Sequence, residues 1–268
     1  MGKSIRVGLM PVRFLPAVDY GRRKKQTIFR EKNTMNTMTR GLAISLAVLF
    51  LSVFAAFSST SPTNEEAIYR RLIATLPINE IPMYDEGKQE KTPKMLKADA
   101  DFIASIEKEG LSHKEGAEKV VQLGWSYMVK KDPATAIKRF NQAWLLDPEN
   151  GNIYHGFAVI TAMRGGPPAE VERFFKLAIS KTQVRTEAIV DYGRFLWTEK
   201  RLDESLTQLN KAFQLNPDAE NCRYNISFVY YLKQDFNNAC IWAKDAQQHG
   251  AQLEKGFLDD VCHRAEKP

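Results

Sequence analysis

The chain has little of what carries catalytic or metal chemistry. Its 268 residues include three cysteines and four histidines, and neither set has ligand spacing. His113, His155, His249 and His263 are dispersed. Cys222, Cys240 and Cys262 lie 18 and 22 residues apart, far from the two-to-four-residue spacing of paired zinc ligands. There is no nucleophile elbow, no phosphate-binding loop and no dinucleotide fingerprint. Gly165-Gly166-Pro167-Pro168 reads as a turn, because two prolines remove N–H groups that a phosphate cradle needs. Glu170 and Glu172 read as a solvated helix face rather than a carboxylate pair. The expectation is a non-enzyme with no cofactor and no metal.

A net positive charge is also lacking once the N-terminus is set aside. Residues 1–40 hold ten Lys or Arg and two acids, a net of +8, whereas the whole chain carries +6. Residues 41–268 therefore carry −2, and a nucleic-acid partner is not expected. Long apolar runs are limited to one, the 17 uncharged residues 41–57, with Arg40 before it and Glu65-Glu66 after it. That asymmetry is the pattern of an export segment. Ala56-Phe57-Ser58 has small residues on either side of a bulky one, as cleavage sites do. Met35 and Met38 stand upstream, so residues 1–40 read as a basic extension or a mis-assigned start. The length also sits at the lower limit of the roughly 17 to 25 residues needed to span a bilayer. Residues 41–58 are thus either a signal peptide or a membrane anchor. Both place the remainder outside the cytoplasm, where disulfides persist. Three cysteines leave at least one unpaired. A bridge from Cys262 to Cys240 or to Cys222 and three buried small apolar side chains are both open.

Residues 59–111 read as short helices and a polar linker. Ala67, Ile68, Leu72, Ile73 and Leu76 fall at helical spacing, as do Leu96, Phe102, Ile103 and Ile106. The intervening stretch between Pro77 and Pro93, polar through residues 86–91, reads as a loop or tether. The second of these helices is positioned to cap the remainder of the chain.

From residue 112 onward the chain is repetitive. From Gly124, steps of 12, 4, 3 and 5 residues lead to Ala136, Phe140, Ala143 and Pro148. The same steps from Gly193 lead to Ser205, Leu209, Ala212 and Pro217, and from Ser227 steps of 12, 4 and 3 lead to Ala239, Ala243 and Ala246. A further copy (Phe157-Ala158, Val171, Phe175, Ala178) carries one extra residue at its Gly-Gly-Pro-Pro turn. Small residues at fixed positions allow two helices to approach closely. The step of four keeps a helical face, and the prolines stop the second helix. Ser112 and Glu115 have capping-box spacing, and Asp132-Pro133 and Asp235 open later helices.

This pattern resembles the tetratricopeptide repeat (TPR) family. The resemblance implies an all-α, right-handed superhelix of four helix-turn-helix repeats over residues 112–266. The repeats fall at about 117–150, 151–185, 186–219 and 220–251, with a cap helix at 252–265. About eleven helices and no strands are expected. It also implies a concave groove lined by the first helix of each pair. On that face fall Val121, Trp125 and Met128; His155, Val159 and Met163; Val190, Asp191, Arg194 and Trp197; and Tyr224, Asn225, Phe228 and Tyr231. Aromatic and Met side chains supply contact area and adaptable packing, Arg194 can hold a carboxylate, and Asn225 can bond a peptide backbone. Val121 and Trp125 stand where the family's carboxylate-clamp variant needs polar groups, so that mode is not expected. The expected function is an exported adaptor or assembly factor of a Gram-negative-type bacterium. It would hold a segment of another protein, in the periplasm or at the inner membrane through 41–57. The alternatives are a membrane-tethered subunit of a secretion, pilus or envelope complex, or an immunity-type inhibitor.

Overall fold

The computed structural model describes residues 64–266. The basic extension and the apolar run 41–57, and with them the choice between signal and anchor, lie outside the described residues. Eleven α-helices are present and, among the described residues, no strand. In order they are α1 (Asn64–Thr75), α2 (Pro93–Lys108), α3 (His113–Val129), α4 (Pro133–Leu146), α5 (Gly151–Met163), α6 (Pro168–Ser180), α7 (Thr186–Thr198), α8 (Leu202–Leu215), α9 (Cys222–Leu232), α10 (Phe236–Gln248) and α11 (Phe257–Ala265). Helices α3 to α10 form four successive hairpins that stack in chain order, an all-α superhelical array.

Local chemistry sets the helix ends. Ser112 and Glu115 make a reciprocal capping box at α3, and the Asp132 and Asp235 carboxylates accept from the backbone N–H of Thr135 and Asn238 at α4 and α10. Each of the four hairpins turns through one residue with positive φ: Lys131, Gly165, Lys200 and Gln234.

Inside each hairpin the small residues have a visible job. A Cβ added at Gly124 would stand 2.7 Å from the Phe140 ring, and one at Gly193 would stand 2.6 Å from Leu209. The space over the glycine is filled by the bulky residue of the second helix. Gly156 on α5 approaches the other edge of Phe140, at 2.5 Å for an added Cβ. Phe140 is therefore pinned between the first helices of two successive hairpins and is fully buried, worth roughly 1.5–3 kcal/mol. Where serine replaces the small apolar residue, its hydroxyl donates across the hairpin. Ser205 Oγ bonds Gly193 O (2.7 Å) and Ser227 Oγ bonds Ala239 O (2.8 Å).

Three departures from the sequence expectations have physical causes. First, the stretch expected to be a loop or tether is packed. Ile78, Ile81, Met83 and Tyr84 are buried, and the chain turns left-handed through Met83–Glu86 with φ from 51 to 62°, a conformation that costs roughly 1–2 kcal/mol per residue. Compensating contacts hold it. Buried Asn141 on α4 donates to Asn79 O and Ile81 O. The Lys91 ammonium sits 3.4 Å above the Tyr84 ring. Glu86 pairs with Arg173 at 2.5 Å. These buried residues are interspersed with charged ones, so the sequence shows no clean period.

Second, the last helix begins at Phe257 rather than near 252, because residues 251–256 run as a link that ends at Gly256 with φ +82°. Third, Glu172 is not a solvated face. Its side chain is 15% exposed and ties α6 to the third hairpin, accepting from both Arg201 guanidinium nitrogens (2.6 and 3.0 Å) and from the Tyr192 hydroxyl (2.9 Å). These bonds, led by Arg201 and joined by Lys176 and Tyr192, hold its carboxyl down at about 2 against an ordinary 4.5.

Both contacts make measurable predictions. Gly156→Ala should lower unfolding stability by about 1–3 kcal/mol by overpacking Phe140, read from a denaturant midpoint; an unchanged midpoint would show that the ring is not pinned. A carboxyl depressed in the folded state contributes stability that is complete above about 4.5 and is lost as pH falls toward about 2. Glu172→Gln should therefore cost about 2 kcal/mol at neutral pH and flatten the acid limb of a stability–pH curve below 4.5.

Candidate functional site

The first helices of the four hairpins, α3, α5, α7 and α9, supply the candidate surface. The structure divides the expected residues into two groups rather than one continuous row. The first crosses α3, α5 and α7. Trp125 is half-buried, edge-on to Phe140 at 5.4 Å and 4.7 Å from the His155 ring. His155 is 5% exposed and its Nε2 lies 2.8 Å from Asp191 Oδ2. Arg194 Nε is 3.9 Å from the other oxygen of Asp191. Burial alone would raise the Asp191 carboxyl. The hydrogen bond from His155, then its charge and that of Arg194, outweigh burial and hold the carboxyl below its ordinary value. Asp191 thus serves mainly as the acceptor for a histidine on the neighbouring hairpin, with the same-helix Arg194 as a weaker partner.

The second group crosses α7 and α9. Trp197 lies 5.0 Å from Phe228, and Phe228 continues to Tyr224 (6.1 Å) and Tyr231 (6.1 Å). The Trp197 indole Nε1 is buried and has no hydrogen-bond acceptor among the described residues. A buried N–H without a partner costs about 1–3 kcal/mol.

The remaining expected residues fall unevenly. Val121 and Val190 are buried at 0% and 3% exposure, and Val159 and Asn225 retain 7% and 4%, so these four offer little area for contact. Met128 is half-buried against the first core cluster, and Met163 at the end of α5 is 45% exposed.

Several residues that bear on this surface carry no periodic signal. Phe257, on α11, packs 5.5 Å from Tyr224, 6.0 Å from Phe228 and 5.6 Å from Tyr231. The expected cap helix thus packs on the fourth hairpin through this ring. At the opposite end, the link before α7 folds over the start of α5. Gly151 N–H donates to Thr182 O, Asn152 Nδ2 donates to Gln183 O and Arg185 N–H donates to Asn152 Oδ1. The same link lets Arg185 reach Glu118 on α3, so hairpins one and three touch across the second. A Cβ at Gly151 would stand 2.4 Å from Ala178 O; the cluster Asn150-Gly151-Asn152 was the available hint. The described leading segment also reaches the first helices: Ile106 of α2 packs on Gly116 of α3. It packs on α4, where Asn141 donates to Ile81 O, and its Tyr69 ring lies beside Gly166 at the α5–α6 turn. Among the described residues no group of three or more His, Cys, Asp or Glu is placed to hold a metal ion.

No protein-family model matches the sequence, and no curated protein matches it. Solved structures do. PilF of Pseudomonas aeruginosa aligns with TM-score 0.52 at 19% identity, over 58% of this chain and 71% of that one. YrrB, described as a TPR protein with an unusual peptide-binding site, aligns at 0.43 with 18% identity over 75% and 92%. MamA aligns at 0.42 with 19% identity over 60% and 95%. At these identities the likeness concerns the fold, which is that of the tetratricopeptide repeat.

The His155–Asp191 bond should behave as a coupled unit. A double-mutant cycle of His155→Ala and Asp191→Ala should give a coupling of about 1–2 kcal/mol in thermal or denaturant unfolding. Additive effects would show that the bond does not join the two hairpins.

Proposed function

We infer that this TPR solenoid is a non-catalytic adaptor that holds a segment of a partner protein against α5, α7 and α9, and that it works outside the cytoplasm. The observation that carries the binding part is Trp197. It is a partly exposed ring on a first helix, tilted against Phe228 at 5.0 Å. Large rings in partly desolvated positions are the usual anchors of protein interfaces. A partner segment with an apolar anchor would cover Trp197 and Phe228. Arg194, 36% exposed and held only loosely by Asp191 at 3.9 Å, would take a carboxylate. Exposed Met163 extends the apolar contact with an adaptable side chain.

Export is supported by the charge-flanked apolar run 41–57 and by a disulfide between Cys240 and Cys262, a bond that persists in oxidising compartments. This reading places the repeats in the periplasm or on the outer face of the inner membrane.

The test is affinity capture from envelope extract with three forms of the protein. Wild type and the control Ile241→Ala, altered at a 63% exposed residue on α10, should capture the same partner. Trp197→Ala with Arg194→Ala should weaken that capture by about thirtyfold or more while leaving helicity intact. Equal capture by all three forms would remove the groove from consideration. Fractionation that finds the protein in the cytoplasm would remove the export part separately.

A further inference from the structure

The aromatic row of α9 is covered by the chain's own last helix, and one covalent bond holds that helix in place. Helix α11 has nine residues, fewer than the roughly 12–15 at which an isolated helix becomes even marginally stable in water. Its connection to α10 is a non-helical link bounded by Gly250 and Gly256, both with φ +82°. Only Val261 on α11 is fully buried. The rest of its seat consists of the partly buried Phe257 and Leu258 against the α9–α10 cluster and the Arg264 guanidinium above the Tyr231 and Phe236 rings. Against this modest area stands the Cys240–Cys262 disulfide, which closes a loop of 22 residues between α10 and α11.

We propose that the Cys240–Cys262 disulfide is a redox latch on α11, whose reduction frees the helix to leave the Tyr224–Phe228–Tyr231 row and opens the C-terminal end of the aromatic face. The chemistry is thiol–disulfide exchange with a dithiol reductant. Its thiolate attacks Cys262 Sγ, which is the less buried sulfur because Cys240 is 8% exposed and Cys262 is only half-buried. The Cys240 thiolate leaves and takes a proton. The reductant's second thiol then resolves the mixed disulfide, returning Cys262 as a thiol and leaving the reductant oxidised by two electrons. The third cysteine does not compete. Cys222 is buried, its Sγ lies 3.4 Å from Leu209 O, and burial raises its thiol to about 11, so it holds little thiolate.

Opening would be local. The Trp197–Phe228 contact lies within α7 and α9, and the hairpins before α9 are closed by their own glycine and serine contacts. Once α11 leaves, Tyr224, Phe228 and Tyr231 lose the Phe257 ring that packs on all three. The inference does not depend on what the groove binds.

Hydrogen exchange on the full chain tests it, comparing oxidised protein, protein reduced by dithiothreitol, and the Cys240→Ser/Cys262→Ser double variant. Removing a cross-link over a loop of this size shifts an opening equilibrium by about a hundredfold. Exchange at 257–265 should therefore accelerate by about that factor in both the reduced protein and the variant. Residues 186–215 should stay protected. Unchanged protection of 257–265 after reduction would overturn the latch, since α11 would then be held by packing alone. Equal acceleration across 186–215 would overturn it too, because the bond would then be a staple for the whole stack. Direct reduction of folded protein keeps the test decisive should the double variant fail to fold.

Discussion

The close approach of paired helices at small residues is the feature that makes the stack possible. Phe140 shows it most clearly. The ring fits only because both Gly124 and Gly156 lack a side chain, so one residue of the first hairpin fixes the spacing within its own hairpin and to the next. Leu209 over Gly193 repeats the arrangement in the third hairpin. The serine hydroxyls at Ser205 and Ser227 add a directional bond to the same contact. Stacked units of this kind cannot bury their apolar faces singly, and the core accordingly runs on from hairpin to hairpin.

The core is not uniform along the stack. It separates into three apolar clusters, and polar or covalent ties span the places where apolar contact thins. Glu172, Arg201 and Tyr192 bridge the second and third hairpins. The disulfide binds the small last cluster, in which Val261 is the one fully buried contribution from α11. At the other end Asn141 and Lys91 hold an energetically unfavourable left-handed turn against α4. The Glu172 carboxylate and the disulfide depend on pH and on oxidation state in ways that apolar burial does not.

The concave face illustrates how a helical period sorts residues only to first order. Trp125, Arg194, Trp197 and Phe228 lie on first helices and keep part of their surface exposed. His155, Val159 and Asn225 lie on first helices as well, yet they are buried. Their burial comes from neighbouring elements that pack over them, as Asp191 of α7 does over His155. No reading of one helix at a time contains those contacts.

The order of residues was enough to specify the hairpins, their number and succession, and the residues that cap and join them. Those depend on contacts between positions a fixed few residues apart, and such contacts leave a period. It also carried the expectation of a first-helix face rich in aromatics. Folding in three dimensions was needed to pair Cys262 with Cys240 and leave Cys222 free and buried. The same is true of the packed stretch before α2 and of Glu172 joining two repeats. Each of these is a meeting of residues separated by irregular chain lengths, where distance in space is fixed by the stacking of helices and not by any local preference of the residues involved.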